Sequence, residues 1–470
     1  MECCGNQQGP GYASPADAVK GPREKILFVT CANVNPEENP DALMSVDVDP
    51  KSPNYCKVIG RVLMPNKGDE VHHLGWNACS SCYGNPLASR KHLVMPCLNS
   101  NRIYFVDTRD PTNLKITKTI EAEELKKFDV SVPHTAHCLA DGNIMVSTMG
   151  DANESNKGNF ILINGETLEV TGTWPSPDSL PQKFGYDFWY QPRLNVMVAT
   201  EWGVPNKICR GFKVEDVAAG NYGNHVHIYN WREHKLIQSV KLEGFSGWTP
   251  LEVRFLHEPS SPHCFYGTGL GSTLYHLYKD EDTGKWVNRI AAQIPVKKVS
   301  GWSLEEMPAF ITDIIISMDD KYLYASCFLF GEILQYNIED PYNIKLVAKA
   351  NIGGLLHNET GVKLIDGQEQ TKPSYVKGKR IEGGPQMLQL SLDGKRLYVT
   401  NSLYSIWDNQ FYPDLLKKGS QMIQLDIDTE NGGLSVNENF LIDFGHLPNG
   451  PFLAHEMRYP GGDCSSDIWI

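Results

Sequence analysis

The chain has 470 residues, of which 41% are hydrophobic and 21% charged, a composition that buries a large core and argues against disorder. Its 56 acidic and 43 basic residues leave a net charge of -13 without long charged blocks, which argues against nucleic acid or an anionic membrane surface as a main partner and favours a small molecule or another protein. The 12 cysteines are too few and too irregularly spaced for a disulfide framework, so reduced thiols are expected.

Read in chain order, the opening "MECCGNQQGPGYASP" has no apolar signal core, and no apolar run approaches the roughly 20 residues that cross a bilayer. Residues 1–20 are expected to be a flexible segment and the protein to be cytosolic. From residue 26 almost to the end, short strands alternate with turn residues, and no long stretch shows helical periodicity. The unit recurs as "SRKHLVMPC" at 89–97, "LADGNIMVST" at 139–148, "QPRLNVMVAT" at 191–200, "SMDDKYLYAS" at 317–326 and "SLDGKRLYVT" at 391–400. In the last two an Asp-Asp or Asp-Gly turn leads into a strand of alternating tyrosine and apolar residues.

About seven such units follow one another, with boundaries near 70, 130, 183, 247, 305 and 380; they exceed the usual repeat length because long loops are inserted. The pattern predicts an all-β fold, a seven-bladed β-propeller over residues 21–470 in one domain, since ring closure removes most exposed sheet edges. The ending "AHEMRYPGGDCSSDIWI" is too apolar for a loose tail and should return to the first blade. A tandem pair of β-sandwiches is the alternative.

In a propeller, residues just before each innermost strand converge on one axis. Four histidines are read at such starts: His73, His137 in "VPHTAHCLADG", His257 in "VRFLHEP" and His455 in "LAHEMRYP". His72, His134, Glu252, Glu258 and Glu456 stand near enough to orient them or to serve as alternative ligands. Together they suit copper, iron or zinc; singly, each also reads as a satisfied polar residue lining a wet channel.

Cys79-Ser-Ser-Cys82 has no second Cys-x-x-Cys for zinc and no βαβ pattern for a dithiol oxidoreductase, so it reads as loop structure or as accessory thiols. Cys56 in "DPKSPNYCKV" precedes Lys57, whose charge would favour a thiolate; a half-buried strand cysteine is the plainer reading. No NAD or flavin site is expected, since "GTGLGS" at 267–272 lacks the final glycine of the dinucleotide fingerprint and sits among strands.

Six stretches, "GPGYASPADAVKGPREKI", "VDVDPKSPNYCKVIGR", "DEVHHLGWNACSSCYG", "GYDFWYQPRLNVMVATEW", "KGKRIEGGPQMLQLSLDGKRLYVTNSLYSIWDNQFYPDL" and "LAHEMRYPGGDCSSDIWI", closely resemble the selenium-binding protein family, which includes methanethiol oxidases. The resemblance runs from about residue 9 to 470. It implies a propeller that oxidises methanethiol with O2 and water to formaldehyde, hydrogen sulfide and hydrogen peroxide, depends on copper, and binds selenium at the cysteine of "SPNYCKV", here Cys56. It also implies a cytosolic location, with nuclear or peripheral-membrane association, and a link to intracellular protein transport or degradation. Triplet oxygen reacts slowly with a thiol unless a redox metal or organic cofactor intervenes, and a histidine-held copper fits that need. The rival readings are a non-enzymatic selenium- or thiol-binding interaction protein and a zinc-dependent lactonase-like hydrolase.

Overall fold

A computed structural model describes residues 9–365 and 367–470. Among these residues seven four-stranded antiparallel sheets follow one another, each a meander from an inner to an outer strand. The innermost strands are Phe452–Arg458 for blade one, Gly75–Trp76 for two, Ser131–Cys138 for three, Phe188–Gln191 for four, Pro250–Phe255 for five, Ile311–Ile316 for six and Leu388–Leu390 for seven. Each boundary read from the sequence falls a few residues before one of them. The seven-bladed propeller is therefore the observed architecture, closed by a strand from the C-terminal end that pairs antiparallel with Ile26–Asn33 of blade one.

Blades six and seven show why the repeat folds as it does. Ser317 Oγ donates to Asp319 Oδ1 at 2.6 Å and accepts from Tyr322 N at 2.9 Å, while Ser391 Oγ donates to Asp393 Oδ1 at 2.7 Å and accepts from Arg396 N at 3.0 Å. The serine and aspartate satisfy the turn, and the following strand enters the core. Inner strands are buried on both faces; the outermost alternate, as in Lys345–Asn351, because only one of their faces meets a neighbour.

Since every blade runs from its inner strand outward, all the innermost strands start at one mouth of the channel and end at the other. Two helical insertions roof the starting mouth. Pro205–Ile208 and Val214–Ala218 join the second and third strands of blade four, and Ser405–Phe411 and Pro413–Lys418 do so in blade seven. They lock together through Trp407 Nε1 to Ile208 O at 2.8 Å and Gln410 Nε2 to Phe212 O at 2.9 Å.

Residues 459–470 cross the opposite mouth, with Cys464, Ile468 and Trp469 buried. Asp467 Oδ1 receives Ser80 N at 2.8 Å and Arg90 Nη2 at 2.6 Å, and Trp469 Nε1 donates to Tyr12 O at 3.0 Å. The expectation of a flexible segment over 1–20 is corrected for its described part. Residues 1–8 lie outside the described residues, but from Gly9 onward the chain is packed: Pro15–Ala18 is helical, Ala18 is fully buried and Tyr12 N donates to Ser80 Oγ. Polar and glycine-rich composition hid this order, which tertiary contacts supply.

Candidate metal centre

Four imidazoles meet under the roof. His72 and His73 precede the innermost strand of blade two, His134 lies early in that of blade three, and His455 lies in the closing strand of blade one. Ligand atoms of His72, His73 and His134 lie within 4.8 Å of one another, and the His455 ring stacks on His72 with centroids 3.8 Å apart. All four are buried.

Their orientation is set from behind. His73 Nδ1 donates to Glu456 Oε2 at 2.8 Å, and that oxygen also receives Leu74 N at 2.6 Å. His455 Nδ1 donates to the Ser402 carbonyl at 2.8 Å, and His134 Nδ1 lies 3.0 Å from Thr135 Oγ1. Thr30 Oγ1 donates to His72 O at 2.7 Å and accepts from Glu456 N at 3.0 Å, tying the two backbones together. With Nδ1 of His73 and His455 committed as donors, their Nε2 lone pairs face inward; among the described residues Nε2 of all four histidines has no hydrogen-bond partner. Buried ring nitrogens without partners are costly, and a cation shared by His72, His73 and His134, with His455 stacked beside it on His72, would relieve that cost.

Electrostatics keeps these rings neutral, as metal ligands must be. Burial and the neighbouring imidazoles hold His72 and His134 well below the usual histidine range; burial with Arg458 and Arg254 does the same for His73. Burial, reinforced by His73, brings His455 down to about 3. Aromatic rings complete the walls, Tyr186 at 4.1 Å from His134 and Tyr404 at 6.5 Å from His72 between centroids. Tyr404 is also the inner wall of a cavity of about 220 Å³, lined further by Val132, Met149, Ile208, Asn99 and Glu154.

The structure corrects two of the four expected ligands. His137 follows a bulge between Pro133 and Ala136 that takes His134 out of the ladder, stays in register opposite Met145, and puts its ring against Phe188 and Trp189 of blade four. His257 follows its innermost strand instead of preceding it, so it stands at the far mouth, bonded through Nε2 to Ile316 O at 3.0 Å and facing Trp469. His72 and His134, read as orienting or alternative groups, are central.

Among the expected carboxylates, Glu456 orients His73, but Glu252 does not reach a histidine. Arg254 holds Glu252 at 2.8 Å and Asp187 at 2.7 Å in a buried ion cluster lower in the channel. Glu258 is exposed, with its backbone N bound to Asp320. Cys56 lies in the loop before the outermost strand of blade one, away from the histidines. Lys57 does not favour its thiolate, because Lys57 Nζ donates to Pro53 O and burial raises the Cys56 thiol above its ordinary value. Cys79 and Cys82 are buried in the loop after His73, at the far mouth. Tyr186, Ser402 and Tyr404 were missed as site residues: Tyr186 comes from blade four and the other two from blade seven, with no local spacing to mark them, although "GYDFWY" and "NSLYS" carry all three.

A family model described as 56kDa selenium binding protein (SBP56) matches residues 6–470. The chain belongs to this family. A methanethiol oxidase of Xenopus laevis is 54% identical over 476 residues, covering 100% of both chains, and selenium-binding protein 2 of Mus musculus is 53% identical over 98% of both. Among solved structures, a hypothetical selenium-binding protein from Sulfolobus tokodaii superposes with a TM-score of 0.87 at 36% identity, covering 98% of each chain. The buried histidine cluster is a candidate metal centre in this family member, and no helix among its described residues is long and apolar enough to cross a membrane.

Proposed function

We propose that the protein is a copper-dependent methanethiol oxidase that converts methanethiol, O2 and water to formaldehyde, hydrogen sulfide and hydrogen peroxide. The observation that carries this reading is the buried group His72, His73 and His134, whose ligand atoms lie within 4.8 Å of one another, with His455 stacked on His72 and no protein partner on Nε2 of any of the four. These residues would hold the copper; an all-imidazole set suits that metal better than the carboxylate and carbonyl donors that hard cations prefer. Bound copper would supply the one-electron chemistry that lets triplet oxygen react with a thiol.

The chain's own groups prepare the site. Glu456, the Ser402 carbonyl and Thr135 fix the rings of His73, His455 and His134, so that little reorganisation is needed on binding. Val132, Met149 and Ile208 give the cavity apolar walls that accept an S-methyl group, and the interlocked helices 205–218 and 405–418 limit water. Relatives named methanethiol oxidase, with the family's full-length match, support the same reaction. Selenium binding is assigned to Cys56 through the motif "SPNYCKV" and the half-buried position of that thiol.

The test is metal analysis of the purified protein with simultaneous assay of sulfide, formaldehyde and peroxide. Copper-loaded protein should form all three in equal amounts and His134→Ala should form none. A copper-loaded, folded protein that forms no sulfide from methanethiol would refute the activity.

A further inference from the structure

Three cysteines meet at the far mouth of the channel, away from the histidines. Ser81 Oγ lies 3.3 Å from Cys79 Sγ, 3.9 Å from Cys82 Sγ and 3.7 Å from Cys138 Sγ. Cys82 ends the single turn Ser80–Cys82, and Cys138 ends the innermost strand of blade three. Cys82 Sγ is 3.5 Å from the Leu139 carbonyl, one residue beyond Cys138. The hydrogen bond from Cys138 is the largest influence on Cys82 and, with Ser81 and the Cys79 backbone, outweighs burial to bring its thiol down to about 6. Burial pushes Cys138 well above the ordinary thiol range. Cys82, whose Sγ donates to Leu139 O, is therefore the more acidic thiol of the two.

Cys82 and Cys138 are buried, but the loop that carries Cys82 borders solvent. Tyr83 is 40% exposed and Leu87 92% exposed on the same loop, while Gly9 lies over the turn, so near that a side-chain carbon there would fall 2.7 Å from Cys82 O.

We propose that Cys82 is a peroxide-reactive thiol that Cys138 resolves into a Cys82–Cys138 disulfide. The Cys82 thiolate attacks a hydroperoxide, the O–O bond breaks, and the leaving oxygen takes a proton and departs as water or an alcohol. Sulfur loses two electrons and becomes the sulfenic acid. Cys138 sulfur then attacks Cys82 sulfur, its proton leaves with the displaced hydroxide as a second water, and the S–S bond forms. Cys138 is the resolving group because it shares Ser81 Oγ with Cys82 and is followed directly by Leu139, whose carbonyl Cys82 Sγ touches. The chemistry needs only added peroxide, so its test does not depend on methanethiol turnover.

Full-length protein is treated with about one equivalent of hydrogen peroxide, free thiols are blocked, and unreduced peptides are mapped by mass spectrometry. The Cys82–Cys138 link should be the first product, unchanged in Cys79→Ser. In Cys138→Ser a dimedone probe should capture the sulfenic acid at Cys82. A first link between Cys82 and any other cysteine, or oxidation confined to Cys56 and Cys209, overturns the proposal. The untreated wild type gives a check that needs no variant: the rate of Cys82 alkylation should reach half its maximum near pH 6, and a half-maximum near pH 9 would overturn the assignment of Cys82 as the nucleophile.

Discussion

His73 Nδ1 and Glu456 Oε2 stand 2.8 Å apart with their side chains 3% and 2% exposed, so an imidazole of blade two is steered by a carboxyl from the strand that closes blade one. Replacing that acceptor with a neutral one, Glu456→Gln, weakens the hold on ring orientation and ligand basicity. Metal affinity should fall roughly 10–100-fold, measured by competition with a chromogenic chelator. Unchanged affinity would mean that Glu456 serves only the neighbouring Arg458.

The histidines separate into two groups by the same measurement. His72→Ala, His134→Ala and His455→Ala should each lose copper on dialysis against chelator, since each removes a buried imidazole of the cluster whose Nε2 has no protein partner. His137→Ala and His257→Ala should keep wild-type stoichiometry, because their rings stand against Trp189 and Trp469. Loss of copper in either of the latter would return that residue to the ligand set.

Blade packing and the metal centre are joined at Gly75. A side-chain carbon there would fall 2.4 Å from Ala136 O and 2.7 Å from Ala136 Cβ, between the strands that position His73 and His134. Gly75→Ala should cost about 1–3 kcal/mol and lower metal affinity at the same time. Denaturant midpoints and metal titration on one preparation check both; a destabilised variant with intact affinity would uncouple them.

Glu201 gives a pH dependence with a definite sign. Burial raises its carboxyl, but hydrogen bonds from His225 and His227 outweigh burial and bring it from 4.5 down to about 2. A folded-state value below the unfolded one stabilises the fold above pH 4.5, and that contribution disappears as pH falls to about 2. Glu201→Gln should therefore be less stable at pH 7 by about 2–3 kcal/mol, with the gap to wild type closing between pH 4.5 and 2. A gap independent of pH in urea titrations would show that the hydrogen bonds to the Glu201 carboxylate are not its source.

Much of this was legible in sequence because the repeat is local. Ser317-Met-Asp319 and Ser391-Leu-Asp393 announce their turns, and the apolar "AHEMRYP" announces ring closure. His73 and His455 were readable from the same rhythm. What failed was position within a strand. The bulge at Pro133–Ala136 exchanged the roles of His134 and His137, and a bulge leaves no periodic mark. His257 in "VRFLHEP" was placed before the innermost strand of blade five, whereas Pro250–Phe255 is that strand and His257 follows it. Lys57 was given to Cys56 by adjacency, yet Cys56 has φ 63°, and in that turn the lysine reaches back to Pro53.

The closing strand carries a consequence for the order in which the molecule is made. His455 and its neighbour Glu456 belong to Phe452–Arg458, the last strand in the chain and the one that zips onto Ile26–Asn33. A nascent chain emerging from the ribosome has His72, His73 and His134 in hand long before it has the fourth imidazole or the group that steers His73. The cluster therefore gains His455 only when Phe452–Arg458 reaches Ile26–Asn33. High-affinity metal capture would then wait on synthesis of Phe452–Arg458, and a product terminated before that strand would be left without it.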